Sequence, residues 1–367
     1  MRILVAAAAG LLLLLAVIAT PVRAHDPVDI NVSYNKEVIR ILQRKCEPCH
    51  GSGGLSVPLA AYPDVRAWGR AIREEIVERR MPPAIVARGY GQYESDPSLN
   101  AREMETLLVW LDGGMPRGDQ ADLPPVIDAS HAHHHSPGPA PATIALPPQT
   151  VPAGEHLVVR RVTVRAGAAA GKTIARVQLL PGNSRVLRGA RVFAGNQWIG
   201  SWLPWQHVMA PPTTHAFQLP ARGDVTVELY YRGADAPQVD ASTLELTFAA
   251  AEARGRLGDI VVEAATVKTG AARGSVQIKQ PASVWALYPA LDSSVTSMEL
   301  RVERPDESTE VLMWIPQLRA EWPLSLVMRE PVELPAGSVV SLVAESAGAS
   351  APRVTLSVMR SPTTPRP

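Results

Sequence analysis

Cysteine is nearly absent: the 367 residues contain two, Cys46 and Cys49, so no disulfide framework can brace the chain. Aromatic residues make up only 5%, and an excess of one charge sign is missing, with 36 Lys and Arg against 35 Asp and Glu. Without Arg2 and Arg23, which fall in a leader-like stretch, the balance is 34 to 35. That gives no electrostatic reason to expect nucleic acid or an anionic membrane surface as partner. Long apolar runs are also missing except for Ile3 to Ala19, which argues against a polytopic membrane protein. Histidine is absent between His50 and His131 and again after His215. What is abundant is punctuation: 34 prolines and 26 glycines point to many turns and at least one linker. At 46% hydrophobic and 19% charged, the chain can still bury a core.

The apolar run follows Arg2 and ends in Thr20-Pro21-Val22-Arg23-Ala24. A basic start, an apolar centre and a small-residue exit describe a signal peptide over residues 1–24, cleaved to leave no stable membrane span. An uncleaved anchor is the alternative, since the run sits at the short edge of bilayer-spanning length.

Beyond the leader, Val38, Ile41, Leu42 and Cys46 keep a helical period, as do Val65, Trp68, Ile72 and Ile76. Asn100 with Glu103 reads as a capping box opening a third helix that carries Met104, Leu107, Leu108 and Leu111, ended by Gly113-Gly114. These signals predict a small all-α domain over residues 29–120. Residues 121–152 are dense in proline and hold the cluster His131, His133, His134 and His135, reading as an extended linker. From residue 153 the pattern alternates with β-branched residues between Gly, Pro and Asp turns. This half also repeats. Leu219-Pro220-Ala221 returns as Leu334-Pro335-Ala336, Trp202-Leu203-Pro204 as Trp314-Ile315-Pro316, and the approach to Pro181 as that to Pro289. The offsets of 115, 112 and 108 residues predict two tandem all-β sandwiches, 153–252 and 253–362, in a multidomain α + β chain, with a single large β-domain as the alternative.

Cys46-Glu47-Pro48-Cys49-His50 is a Cys-x-x-Cys-His motif, the attachment signature of a c-type haem. Two thiols one helical turn apart can each add to a vinyl group on one porphyrin edge, and the adjacent histidine can then ligate the iron. A thioredoxin-like pair would sit beside a βαβ pattern, and a zinc site would need a second Cys or His pair. Neither accompanies the motif. For the sixth iron position the candidates are Met81, Met104 and Met115, or an open site. Met104 lies on the apolar stripe of its helix, Met115 in a Gly-Gly-Met-Pro turn, and Met81 before Pro82-Pro83. The proline pair is expected to fix an extended exit that holds the Met81 thioether in place. Trp68, Ile72, Ile76, Leu107 and Trp110 are the expected pocket wall. A functional metal role for the linker histidines is less favoured than solvated loop.

Tyr34-Asn35-Lys36, the haem motif, Met81-Pro82-Pro83, Trp110-Leu111-Asp112 and Gly118-Asp119 resemble the cytochrome c domain of certain bacterial exported proteins. In those a haem c module precedes a copper type II, ascorbate-dependent monooxygenase-like region of two jelly-roll sandwiches. Pro181-Gly182-Asn183, Tyr230-Tyr231, Leu334-Pro335-Ala336-Gly337 and the Trp-x-Pro elements carry the second part of the resemblance. The resemblance implies Met81 as axial ligand. It also implies copper ligands that this sequence lacks. Arg188-Gly189 stands where the family has a histidine pair, Tyr230-Tyr231 where it has His-Tyr, and Pro289-Ala290-Leu291-Asp292 where it has Pro-His-x-His. His156, His207 and His215 do not fall at the family's positions, and copper is not expected. The sequence therefore implies a periplasmic monohaem cytochrome transferring one electron to a redox partner protein. Cys46 and Cys49 would hold one haem c, His50 and Met81 its iron, and the β-region would be a non-catalytic scaffold or docking surface. The alternatives are a haem- or copper-dependent oxidoreductase fed by the cytochrome, and a haem-based redox-sensing or binding module.

Overall fold

The computed structural model describes residues 32–83, 86–125, 140–250, 253, 255–265, 270–290, 292–348 and 351–360. The leader and the His131–His135 cluster lie outside them. No described helix is long and apolar enough to cross a membrane.

Alternating side chains build most of the molecule. In Asp224–Arg232 and Val295–Glu303 buried and solvent-facing positions alternate along most of the strand, because successive residues point to opposite faces of a sheet. A four-stranded sheet runs in the order Leu157–Arg165, Asp224–Arg232, Leu187–Ala194, Gln197–Trp202. A second has the order Gly270–Gln277, Val339–Ser346, Val295–Glu303, Thr309–Ile315. The same order of equivalent strands in both is the structural form of the internal repeat. Both sheets face one nine-stranded sheet. Its first half contains Ala142–Ala145, Thr243–Phe248, Thr173–Leu180 and His215–Gln218, and its second Gly255–Glu263, Arg353–Arg360, Ala282–Pro289 and Leu326–Leu334. A short parallel pairing of His215 and Ala216 with Gly255 and Arg256 joins the halves. The two sandwiches thus share a sheet instead of following one another as beads. Trp285, from the second half, is buried in the first sandwich's core and stacks on Trp198 with ring centroids 6.2 Å apart.

The helical residues are few. After a π-helical turn, Tyr34–Val38, come α1 (Ile39–Lys45), α2 (Glu47–His50), α3 (Tyr62–Ala67), α4 (Gly69–Val77) and α5 (Ala101–Asp112). The period through Val65, Trp68, Ile72 and Ile76 is divided between α3 and α4, with Trp68 leaving helical geometry at φ −95° and ψ 4°. The α5 start is built as its sequence suggests. Asn100 Oδ1 accepts from Glu103 N and Glu103 Oε2 accepts from Asn100 N, both at 2.9 Å. Val38, Leu42, Val65, Ile76, Leu107 and Trp110 form a small core beneath these helices.

The expected architecture, a small all-α cytochrome domain ahead of two tandem sandwiches, is overturned. The chain is mostly β, with 43% strand against 16% helix. The segment between α4 and α5 lies along the second sandwich. Ala87 N donates to Trp314 O at 2.7 Å, Glu94 N to Val327 O at 2.9 Å and Arg329 N to Gln92 O at 2.9 Å. Tyr93 bridges to Met328 and is buried in that sandwich's core. Helical periodicity reports which face is buried, not what it is buried against. Residues 86–99, which show no period, bond to the second sandwich and make this region a cap on the β-structure.

Asp259, beside the joint between the halves, gives a stability test. Burial pushes its carboxyl up from the usual 3.8 to about 6, against a hydrogen bond from the Trp198 backbone. Its Oδ1 is buried without a hydrogen-bond partner. The unfolded chain loses this proton at lower pH than the folded one, so this site's contribution to stability falls as pH rises from about 4 to 6. Asp259→Asn should therefore stabilise the protein at pH 7 by about 1–2 kcal/mol, allowing for partial solvent screening. Urea unfolding at pH 7 and below pH 4 checks this, because the gain should vanish at the lower pH.

Candidate functional site

The site begins where α1 stops. Cys46 N closes the last turn on Leu42 O at 2.8 Å, and the chain restarts as α2 with Pro48 near its N-terminus, where a missing N–H costs nothing. Cys49 N and His50 N both bond back to Cys46 O, at 3.1 and 2.8 Å. This single turn places both sulfurs on one face. The following loop folds under it, with Leu55 N on Cys49 O at 2.8 Å and Leu59 N on His50 O at 2.7 Å. Gly54 is required there: a Cβ would stand 2.4 Å from Cys49 O.

The loop also fixes the imidazole. His50 Nδ1 lies 2.8 Å from Val57 O, so Nδ1 carries the proton and Nε2 keeps its lone pair. A carbonyl behind the ring is the usual way a metal-binding histidine is oriented. Burial, opposed by this bond and assisted by Arg188, holds the His50 pKa below the ordinary value, which favours the neutral ligand form. Burial pushes both thiols up to about 12; Cys49 raises Cys46 further, while Arg188 draws Cys49 back. Such thiols stay protonated, unlike reactive redox cysteines, which need electropositive and partly exposed surroundings.

Cys46, Cys49 and His50 open onto an apolar cavity of about 140 Å³ with a mouth to solvent. Leu42, Ile72, Ile76 and Leu107 supply apolar wall, and Trp68 lies at 45% exposure on the margin. Met81 also lines the cavity, at 38% exposure. It follows α4 in a turn closed by Arg80 N and Met81 N on Glu75 O, at 2.9 and 3.2 Å, and tied by Arg80 to Glu74 and Glu75. The extended exit expected from the proline pair is instead a turn, with a cis Met81–Pro82 peptide. Met115 is elsewhere, packed on the helical core against Gly69. Met104 packs on that core and borders only a neighbouring groove. Of the three methionines Met81 alone lines the cavity. Trp110 does not line it either, contrary to expectation. It is buried behind the wall, its Nε1–H donating to Pro116 O at 2.9 Å.

Two wall residues come from the β-region and had no signal as site residues in the sequence. Arg188 and Trp322 both face the cavity, with the guanidinium carbon 5.9 Å from the indole centroid. Gly189 permits this contact, since a Cβ there would stand 2.4 Å from Pro323. Ser184 Oγ adds a bond to Gly53 O at 3.1 Å, tying the Pro-Gly-Asn loop to the cysteine loop. Arg188 of the first sandwich and Trp322 of the second thus both wall the cavity that the cysteines open. Its histidines serve elsewhere: His207 Nε2 lies 2.7 Å from Pro204 O, and His215 Nδ1 lies 2.9 Å from Thr214 Oγ1. Among the described residues no three His, Cys, Asp or Glu side chains gather as a metal site.

No family model matches the sequence, and no curated protein matches it. Among solved structures, the major capsid protein P2 of bacteriophage PM2 aligns at 7% identity and TM-score 0.24, over 59% of this chain and 99% of that one. The structure of Sulfolobus turreted icosahedral virus aligns at 9% identity and TM-score 0.27, over 60% and 91%. Likeness this distant carries no argument about function.

Proposed function

We propose that the chain is an exported, periplasmic, monohaem c-type cytochrome that passes one electron to a protein partner. The observation that carries the reading is the convergence of Cys46, Cys49, His50 and Met81 on one apolar cavity. Haem c fits that donor set: two thiols one turn apart, an oriented neutral imidazole, and a thioether from a separate element. When bound, the group supplies a reversible one-electron iron couple. Cys46 and Cys49 would fix the porphyrin edge, His50 Nε2 and Met81 Sδ would hold the iron, and Leu42, Ile72, Ile76 and Leu107 would exclude water. A thioether ligand beside a largely apolar wall would favour a high potential and occupy the position that oxygen chemistry needs. The resemblance to exported cytochrome–monooxygenase fusions supports the same reading for the helical cap. The β-region is then a scaffold that shapes the pocket and offers a docking surface. Residues 216–367 hold no histidine or cysteine, so the second sandwich has no imidazole for a copper centre of that kind.

The competing reading is a copper- or haem-dependent oxidoreductase. Iron and copper content separates the two in full-length protein whose four linker histidines are replaced by alanine. One iron and well under one copper per chain are expected, with a spectrum that reduces and reoxidises without hydroxylating substrate. Stoichiometric copper with ascorbate-dependent hydroxylation would establish the oxidoreductase instead.

A further inference from the structure

Arg188 is an expensive residue to keep where it is. Its Nε is buried without a hydrogen-bond partner, and an unsatisfied buried donor is costly, more so when charged. The acids nearest to it are engaged otherwise: Glu155 pairs with Arg232 at 2.7 Å, and Glu321 lies 3.9 Å from the same arginine. Glu75, the one acid on the cavity wall, is paired with Arg80 at 2.9 Å. The guanidinium is held against Trp322 and faces the cavity beside Cys49 and His50. A guanidinium kept in place at the cavity with its Nε unpaired is suited to a carboxylate that arrives with a ligand.

We infer that Arg188 binds a propionate carboxylate of the haem, so that the first sandwich holds the cofactor directly. The inference rests on the haem reading. It gives the β-region a defined task at the pocket: the porphyrin is gripped by the cap through its vinyl edge and by the sandwich through its acidic edge. Filling the cavity then ties the two parts of the chain together. A cation there also offsets the propionate charge felt by the iron, which favours the ferrous form.

The test uses the full-length chain with haem attached. Arg188→Gln should keep its covalent haem but shift the Fe(III)/Fe(II) equilibrium about tenfold toward Fe(III), a fall of ~59 mV for one electron. Its propionate-bending resonance Raman band should move to the position of a carboxylate hydrogen-bonded only to water. Arg188→Lys, which retains the charge, should recover most of the potential, whereas a packing role against Trp322 would move neither readout. Unchanged potential and band in Arg188→Gln, with haem still attached, would overturn the inference and leave the haem reading intact. Absence of haem from the wild type would instead remove the reading beneath it. If Arg188→Gln does not fold, the wild-type band decides: a water-exposed position overturns the inference, and a strongly hydrogen-bonded one that shifts in Arg188→Lys supports it.

Discussion

Cys46→Ala, produced in a host that attaches haem to exported proteins, should retain haem through Cys49 alone and leave one vinyl group free. The conjugation of that vinyl moves the pyridine haemochrome band to longer wavelength than in the wild type. Replacing Cys46 and Cys49 together should abolish attachment, so that acid-acetone extraction strips all colour from the double variant and none from the wild type. The effect is large because the thioethers are the covalent link, whereas the rest of the pocket offers contacts that dissociate. The geometry makes both sulfurs available: they share one face of a single turn, and both open onto the cavity. Equal bands in Cys46→Ala and wild type would contradict a thioether at that position.

The second large effect is expected at Met81. A methionine–Fe(III) bond gives a weak charge-transfer band near the red limit of the visible spectrum, and Met81→Ala should eliminate it. The variant should also bind cyanide or imidazole much faster, since its sixth position no longer has to release a protein ligand. Met104→Ala should keep the band, and so should Met115→Ala, because both side chains pack on the helical core and line no part of the cavity. Their changes should appear as lost stability, about 2–5 kcal/mol for a fully buried methionine and less for these partly buried ones. Loss of the band in Met115→Ala, with Met81→Ala unaffected, would reassign the ligand.

The parts of this arrangement that were readable in advance are the local ones. A capping box is a contact between residues three apart, and Asn100 with Glu103 forms it as the spacing suggests. The cysteine motif is one helical turn and keeps its geometry wherever the fold places it. The repeats mark equivalent strand ends, so Trp202 and Trp314, or Leu219 and Leu334, fall at matching places in the two halves. What the sequence concealed depends on distant packing. Trp110 has the apolar character of a pocket residue, but its indole N–H needed an acceptor and found Pro116 O behind the wall. Residues 86–99 show no period, yet Tyr93 is part of the second sandwich's core. Arg188 stood out only as the replacement for an expected histidine pair. That its guanidinium turns toward the cysteines follows from the close approach of Gly189 to Pro323 and from the Ser184–Gly53 bond, separated in sequence by more than a hundred residues.

The central claim is one haem joined to this chain through Cys46 and Cys49, and intact-protein mass spectrometry under denaturing conditions tests it most directly. For the chain exported by a host competent in c-type maturation, the account predicts a single species heavier than the polypeptide by one haem. Tandem fragmentation should place that mass on the peptide containing Cys46 and Cys49. A chain at its polypeptide mass, with two free thiols and haem absent or lost on denaturation, would contradict it.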